Sequence, residues 1–96
     1  MIRHTVVFSL KHPKGSGEER RFLDDALVLA SLPTVRNFER LRQVGAKNDF
    51  AYGFSMEFED QAGYDAYNVH PAHADFVRDR WQVEVAEFLE IDYVRI

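Results

Sequence analysis

Two of the four histidines of this chain stand within one seven-residue stretch, YNVHPAH, running from Tyr67 to His73. A neutral imidazole can take a proton from a carbon acid near pH 7. A phenol can donate a hydrogen bond to the enolate oxygen that then develops. Tyr67 and His73 are therefore the candidate acid–base pair. Pro71 is favoured at a first helical position, so a helix is expected to start there. His73 then falls in its first turn, where the positive helix end disfavours the imidazolium. The competing reading is structural: His73 and Tyr67 pack as satisfied core groups. His4 shares a strand face with Val6 and Phe8 and becomes a further pocket candidate if that face meets the helices. Tyr52, Phe54 and Trp81 are core residues by type, placed to line a cavity as ligand-binding side chains. His70 and His73 are helical neighbours by spacing, but Pro71 interrupts them and no third ligand is evident, so no metal is expected. No other cofactor is expected. His12, in a Gly/Pro loop, is assigned no role.

The elements that must position these side chains are legible from periodicity. Ile2, His4, Val6, Phe8 and Leu10 alternate with Arg3, Thr5, Val7 and Ser9, a strand with neither face strongly polar. KHPKGSGEE is a loop, after which Ser16 and Glu19 form a capping box. Phe22, Leu23, Ala26, Leu27, Leu29 and Ala30 predict a helix that ends near Leu32, ahead of Pro33. Thr34–Val44 reads as a strand that begins irregularly with a bulge, and Gly45–Asp49 as a turn. Phe50–Phe58 alternates between large aromatic and small residues. Asp60 predicts the cap of a helix over Gln61–Val69. The helix from Pro71 carries the stripe His73, Phe76, Val77, Trp81 and Val85. Glu84, Glu87 and Glu90 read as its solvated face and exit, and FLEIDYVRI as the last strand. The order is strand, helix, strand, strand, helix, strand: an α+β chain with one sheet and helices on one face.

Composition narrows the function. Ninety-six residues make one domain, 1–96. Without cysteine there is no disulfide framework, thiol nucleophile or cysteine metal site, and a cytoplasmic location fits that absence. No apolar run reaches the roughly 20 residues of a membrane span. A net charge of −4 argues against a phosphate backbone as partner. Arg36, Arg40 and Arg42 read as a solvated face, as do Asp24 and Asp25. The uncovered sheet face would carry Thr5, Val7, Ala51, Gly53 and Ser55, which predicts self-association into a homodimer.

RHTVVFSLK, FAYGFSMEFED, YDAYNVHPAHADF and FLEIDYVRI together resemble the stress-responsive alpha/beta-barrel (Dabb) family over essentially the whole chain. The resemblance implies a ferredoxin-like βαββαβ fold that pairs with a second copy into a dimeric α/β barrel. The family includes cofactor-free polyketide cyclases of the olivetolic acid type, which use a tyrosine and a histidine of a YxxHPAH segment; here those are Tyr67 and His73. Their strand-one histidine falls on His4, and a further pocket histidine falls on Tyr52, so the pocket polarity departs from that pattern. The resulting expectation is a helix–sheet pocket for a small aromatic or beta-keto ligand, with aldol-cyclase or isomerase chemistry. A non-enzymatic stress-related oligomer and a cofactor-free oxygenase are the alternatives.

Overall fold

Alternation in Ile2–Leu10 (β1) decides where the core lies, for His4, Val6 and Phe8 are buried on one side. In the computed structural model, which describes residues 1–96, β1 is central. Tyr52–Phe58 (β3) and Val85–Tyr93 (β4) flank it antiparallel, and Arg36–Arg42 (β2) pairs with β3. The order β2-β3-β1-β4 with helical crossovers on one face is ferredoxin-like. The large face of β3 (Tyr52, Phe54, Met56, Phe58) joins the buried face of β1 against the helices. Burying each phenylalanine contributes about 1.5–3 kcal/mol.

The helices follow their caps. Gly17–Asp25 (α1) starts at Ser16, whose hydroxyl accepts from the Glu19 amide. Glu19 reaches back to accept from the Gly15 amide. A 3-10 segment, Ala26–Ser31, finishes this crossover, and Leu32 is extended ahead of Pro33 as expected. Asp60 caps Gln61–Val69 (α2), accepting from the Gly63 amide. His70 then caps Pro71–Phe76 (α3). Its Nδ1 accepts from the Ala72 amide, a structural task that leaves it out of the acid–base pair. The chain continues as a π-helical turn, Val77–Trp81, and one α-turn, Gln82–Glu84.

The bulge expected in the second strand is present. The β2–β3 register shifts between Arg36 and Glu39, and Asn37 adopts a left-handed φ of 52°, which asparagine tolerates better than most residues. Four expectations need correction. The last strand begins at Val85 rather than Phe88, because Val85 pairs with Leu10 and the Lys11 amide bonds the Glu84 carbonyl. Glu87 and Glu90 therefore belong to a strand, not to a helix face. His12 is not idle: its Nε2 stands 2.7 Å from Glu84, which also binds Arg80 at 2.5 Å. Arg40 is not simply solvated, since it donates to the Leu23 carbonyl at 2.8 Å and to Asp24 at 3.2 Å, tying β2 to α1.

Candidate active site in the helix–sheet cavity

Between the sheet and the segment Tyr64–Gln82 lies a cavity of about 450 Å³, in the size range of small-molecule sites. Twelve of its seventeen lining residues are hydrophobic. His4 enters from β1 and Phe54 from β3. Tyr67 comes from the last full turn of α2, His73 from the first turn of α3, and Trp81 from the π-helical turn. The break at His70–Pro71 lets two short helices present Tyr67 and His73 to each other. Their ring centroids are 4.2 Å apart.

His73 has a defined tautomer. Its Nδ1 is 3.2 Å from the Asn68 carbonyl. A carbonyl only accepts, so Nδ1 carries the proton and Nε2 keeps its lone pair. Burial lowers the His73 pKa from its ordinary value, because the apolar wall penalises the imidazolium. The group is thus a neutral base at pH 7. Tyr67 is only 3% exposed. Burial, then the neighbouring Tyr64 and the Glu90 charge, push its pKa up, which keeps the phenol protonated. The polar contacts of the site engage Tyr64, His4 and His73, and none occupies the Tyr67 hydroxyl. No buried polar side-chain atom is left unsatisfied, so that hydroxyl is open to the cavity and not sealed in the core.

His4 is held by a second set of contacts. Its Nδ1 stands 2.5 Å from Asp92, the cross-strand partner on β4. Tyr64 donates to the other carboxylate oxygen at 2.8 Å, and its own oxygen lies 3.0 Å from His4 Nδ1. With Nδ1–H given to Asp92, Nε2 of His4 is the free nitrogen. Burial, then Asp92 and Glu90, raise the Tyr64 pKa. Phe58 stacks on Tyr64 at 5.0 Å and packs against Tyr67 at 5.1 Å, fixing both rings from below.

The geometry thus gathers His4, Phe54, Tyr67, His73 and Trp81 around one cavity. It does not bring Tyr52 to them. Tyr52 lies at the far end of β3, under the Arg42 guanidinium and facing a separate, polar concavity with Glu19. Tyr64, Asn68 and Asp92 carry no expectation from the sequence, and Glu90 reads there only as a solvated residue, yet all four stand at the cavity or bind a residue that lines it. Tyr64 sits one helical turn before Tyr67, a spacing that marks a shared face. Glu90 and Asp92 alternate with hydrophobic residues on the last strand. No three His, Asp or Glu side chains converge closely enough to hold a metal ion.

A ferredoxin-like α+β domain with a cavity between helices and sheet is the class that this fold defines. The chain belongs to the stress responsive A/B barrel domain family, whose model matches residues 2–95. A stress-response A/B barrel domain-containing protein of Arabidopsis thaliana is 30% identical over 78% of this chain and 69% of its own length. A crystal structure of a Dabb family protein with a ferredoxin-like fold from Mesorhizobium loti is 59% identical, with a TM-score of 0.98 over 99% of this chain and 96% of that one. The hydroxynitrile lyase of Passiflora edulis shares the fold at 13% identity, with a TM-score of 0.84 over 99% and 93% of the two chains. Several other proteins of this fold are described as dimeric and ferredoxin-like.

Proposed function

We propose that the cavity binds a small aromatic or beta-keto compound and catalyses cofactor-free carbon-acid chemistry of the aldol-cyclase or isomerase type. The observation that carries this reading is the Tyr67–His73 pair at 4.2 Å, with His73 Nδ1 committed to Asn68. Nε2 of His73 removes a proton from the carbon next to a carbonyl. The electron pair moves onto the carbonyl oxygen, where the Tyr67 hydroxyl donates to the enolate. In an aldol closure the enolate carbon attacks a second carbonyl of the same molecule, and the new alkoxide takes the proton from His73. In an isomerisation that proton returns to a different carbon.

A ligand screen by NMR with phenols and beta-diketones tests the pocket, and turnover of a beta-polyketide analogue above the buffer rate tests the chemistry. Hits that leave the Tyr67 and His73 resonances unmoved would sink the pocket. Binding without turnover would reduce the protein to a ligand-binding domain.

The working unit is a homodimer paired through the uncovered sheet face. Leu41, Gly53, Val7 and Leu89 are consecutive cross-strand partners and form an apolar row on that face. Leu41 and Leu89 are exposed in the single chain. Sedimentation should report twice 11.2 kDa. A side chain at Gly53 meets only ordinary contacts, the nearest being the Val6 carbonyl at 3.5 Å. Gly53→Arg should therefore fold yet sediment as a monomer; an unchanged dimer would exclude this face. The lack of cysteine supports a cytoplasmic location, which fractionation of the producing cells would check. No helix is long and apolar enough to cross a membrane.

A further inference from the structure

The cavity has no lysine or arginine in its lining, and its one acidic lining residue is Glu90. Glu90 stands on β4 opposite Val6 and two residues before Asp92, so it shares the sheet face that holds His4. The two carboxylates differ in what they already do. Asp92 is taken up by His4 and Tyr64. Glu90 is exposed at the cavity wall and enters no salt bridge or side-chain hydrogen bond, although Arg3, Arg21, Arg40, Arg78 and Arg80 all have acidic partners. It is close enough for its charge to act on Tyr64, Tyr67 and His73 together.

We infer that Glu90 sets the charge class of the ligand: the site takes an uncharged hydroxyl or other hydrogen-bond donor and rejects carboxylates. This rests on the reading of the cavity as a small-molecule site. A carboxylate can only accept, so it recognises a donor hydrogen on the ligand. An anionic ligand would meet the Glu90 charge at the cavity wall with no lysine or arginine in the lining to offset it, and Asp92 would add to the repulsion. An uncharged phenol or enol avoids that repulsion and supplies the donor. Glu90 thereby discriminates between a neutral acyl or phenolic compound and the free acid produced when such a compound is hydrolysed or carboxylated.

The test uses three ligands of one shape: a 4-alkylphenol, the matching 4-alkylbenzoate and the matching 4-alkylbenzylamine. Each is titrated by NMR into the unmodified protein, Glu90→Gln and Glu90→Lys at pH 7. The phenol should bind at least ~10-fold tighter than the benzoate, the size expected for two like charges a few ångströms apart in a partly screened site. Glu90→Gln should remove most of that preference, and Glu90→Lys should reverse it. The amine should bind the parent and lose affinity in both variants. Because Glu90 is on an exposed edge strand, both variants should fold, which their melting curves verify. If the phenol and benzoate bind the parent equally, or if the preference survives in Glu90→Lys, the inference is overturned while the pocket stands. If no ligand moves the His73 and Tyr67 resonances, the pocket reading falls and takes this one with it.

Discussion

The two ends of the sheet carry concavities of nearly equal size, about 450 Å³ beside Tyr67 and about 440 Å³ beside Tyr52. Each has a buried tyrosine in its wall. The first is lined by twelve hydrophobic residues of seventeen, the second by three of ten. At the polar end, burial and then the Glu19 carboxylate push the Tyr52 pKa up to about 12, and the Arg42 guanidinium lies over its ring. Arg40 is spent on Leu23 and Asp24, and Glu19 on the Gly15 amide. At the apolar end, each of His4 and His73 has one nitrogen fixed by a neighbour and one left free. Volume therefore does not separate the two concavities. What separates them is polar capacity left unspent in a mostly apolar lining, the feature on which the proposed chemistry depends.

The sharpest way to break this contrast is to remove the base at one end and the tyrosine hydroxyl at the other. His73→Gln keeps a hydrogen-bonding side chain of similar reach but has no titratable lone pair. Turnover of a beta-polyketide analogue should fall by about 10²–10⁴-fold, the usual worth of a positioned general base. Tyr52→Phe should leave turnover within about twofold, because catalytic losses follow groups that act on the reacting atoms. Steady-state rates of both variants decide it. Equal losses would mean that the two ends act as one site.

Most of the frame could be read from residue types, and the exceptions have identifiable causes. The alternation of β1 and β3, the Ser16 and Asp60 caps and the Pro71 helix start depend on local chemistry, so they were visible in the chain. The bulge near Asn37 was legible for the same reason, since Val35, Phe38, Leu41 and Val44 recur at every third residue among strand formers, and a strand with that spacing needs an irregularity. Tyr67 and His73 were visible because they flank one helix break. Asp92 was not, because its meaning comes from cross-strand pairing with His4, a contact between opposite ends of the sequence. The start of β4 was missed because Val85 fits a helical stripe as well as a strand, and only pairing with Leu10 decides between them. Tyr52 was grouped with the pocket because it shares the aromatic face of β3. Face assignment fixes which side of the sheet a residue is on, but not how far along the strand the cavity extends.

A smaller effect separates the two tyrosines of α2. Tyr64 donates to Asp92 and contacts His4, whereas the Tyr67 hydroxyl faces the cavity. Tyr64→Phe should cost about 1–2 kcal/mol, since it removes a hydrogen bond to a charged acceptor and unsettles the His4 orientation. Tyr67→Phe should cost under about 0.5 kcal/mol, because no protein partner loses a bond. Urea unfolding of the two variants gives the difference directly. Ligand affinity should show the opposite ranking, with Tyr67→Phe the more damaging. If Tyr67→Phe proves the less stable protein, its hydroxyl is a core donor and the catalytic assignment loses its acid.

The smallest expected effect is the contribution of His73 to the pH dependence of stability. Burial lowers the His73 pKa below its value of 6.5 in an unfolded chain. Between the folded-state pKa and 6.5 the unfolded chain therefore binds more protons than the folded one, so stability falls as the solution is acidified through that window. Above 6.5 both states are neutral and His73 adds no slope. His73→Gln should flatten this part of the curve. Glu84 provides the internal contrast, because its pKa is lowered from 4.5 in the net, its burial being outweighed by the bonds from Arg80 and His12. Its lowered pKa places its own loss of stability below 4.5, so between about pH 5 and 7.5 the difference between the parent and His73→Gln isolates the His73 contribution. The parent should lose more of its melting temperature across that range than His73→Gln does. Parallel curves would mean that His73 is solvated in the folded protein, and the desolvation on which its role as a neutral base depends would be absent.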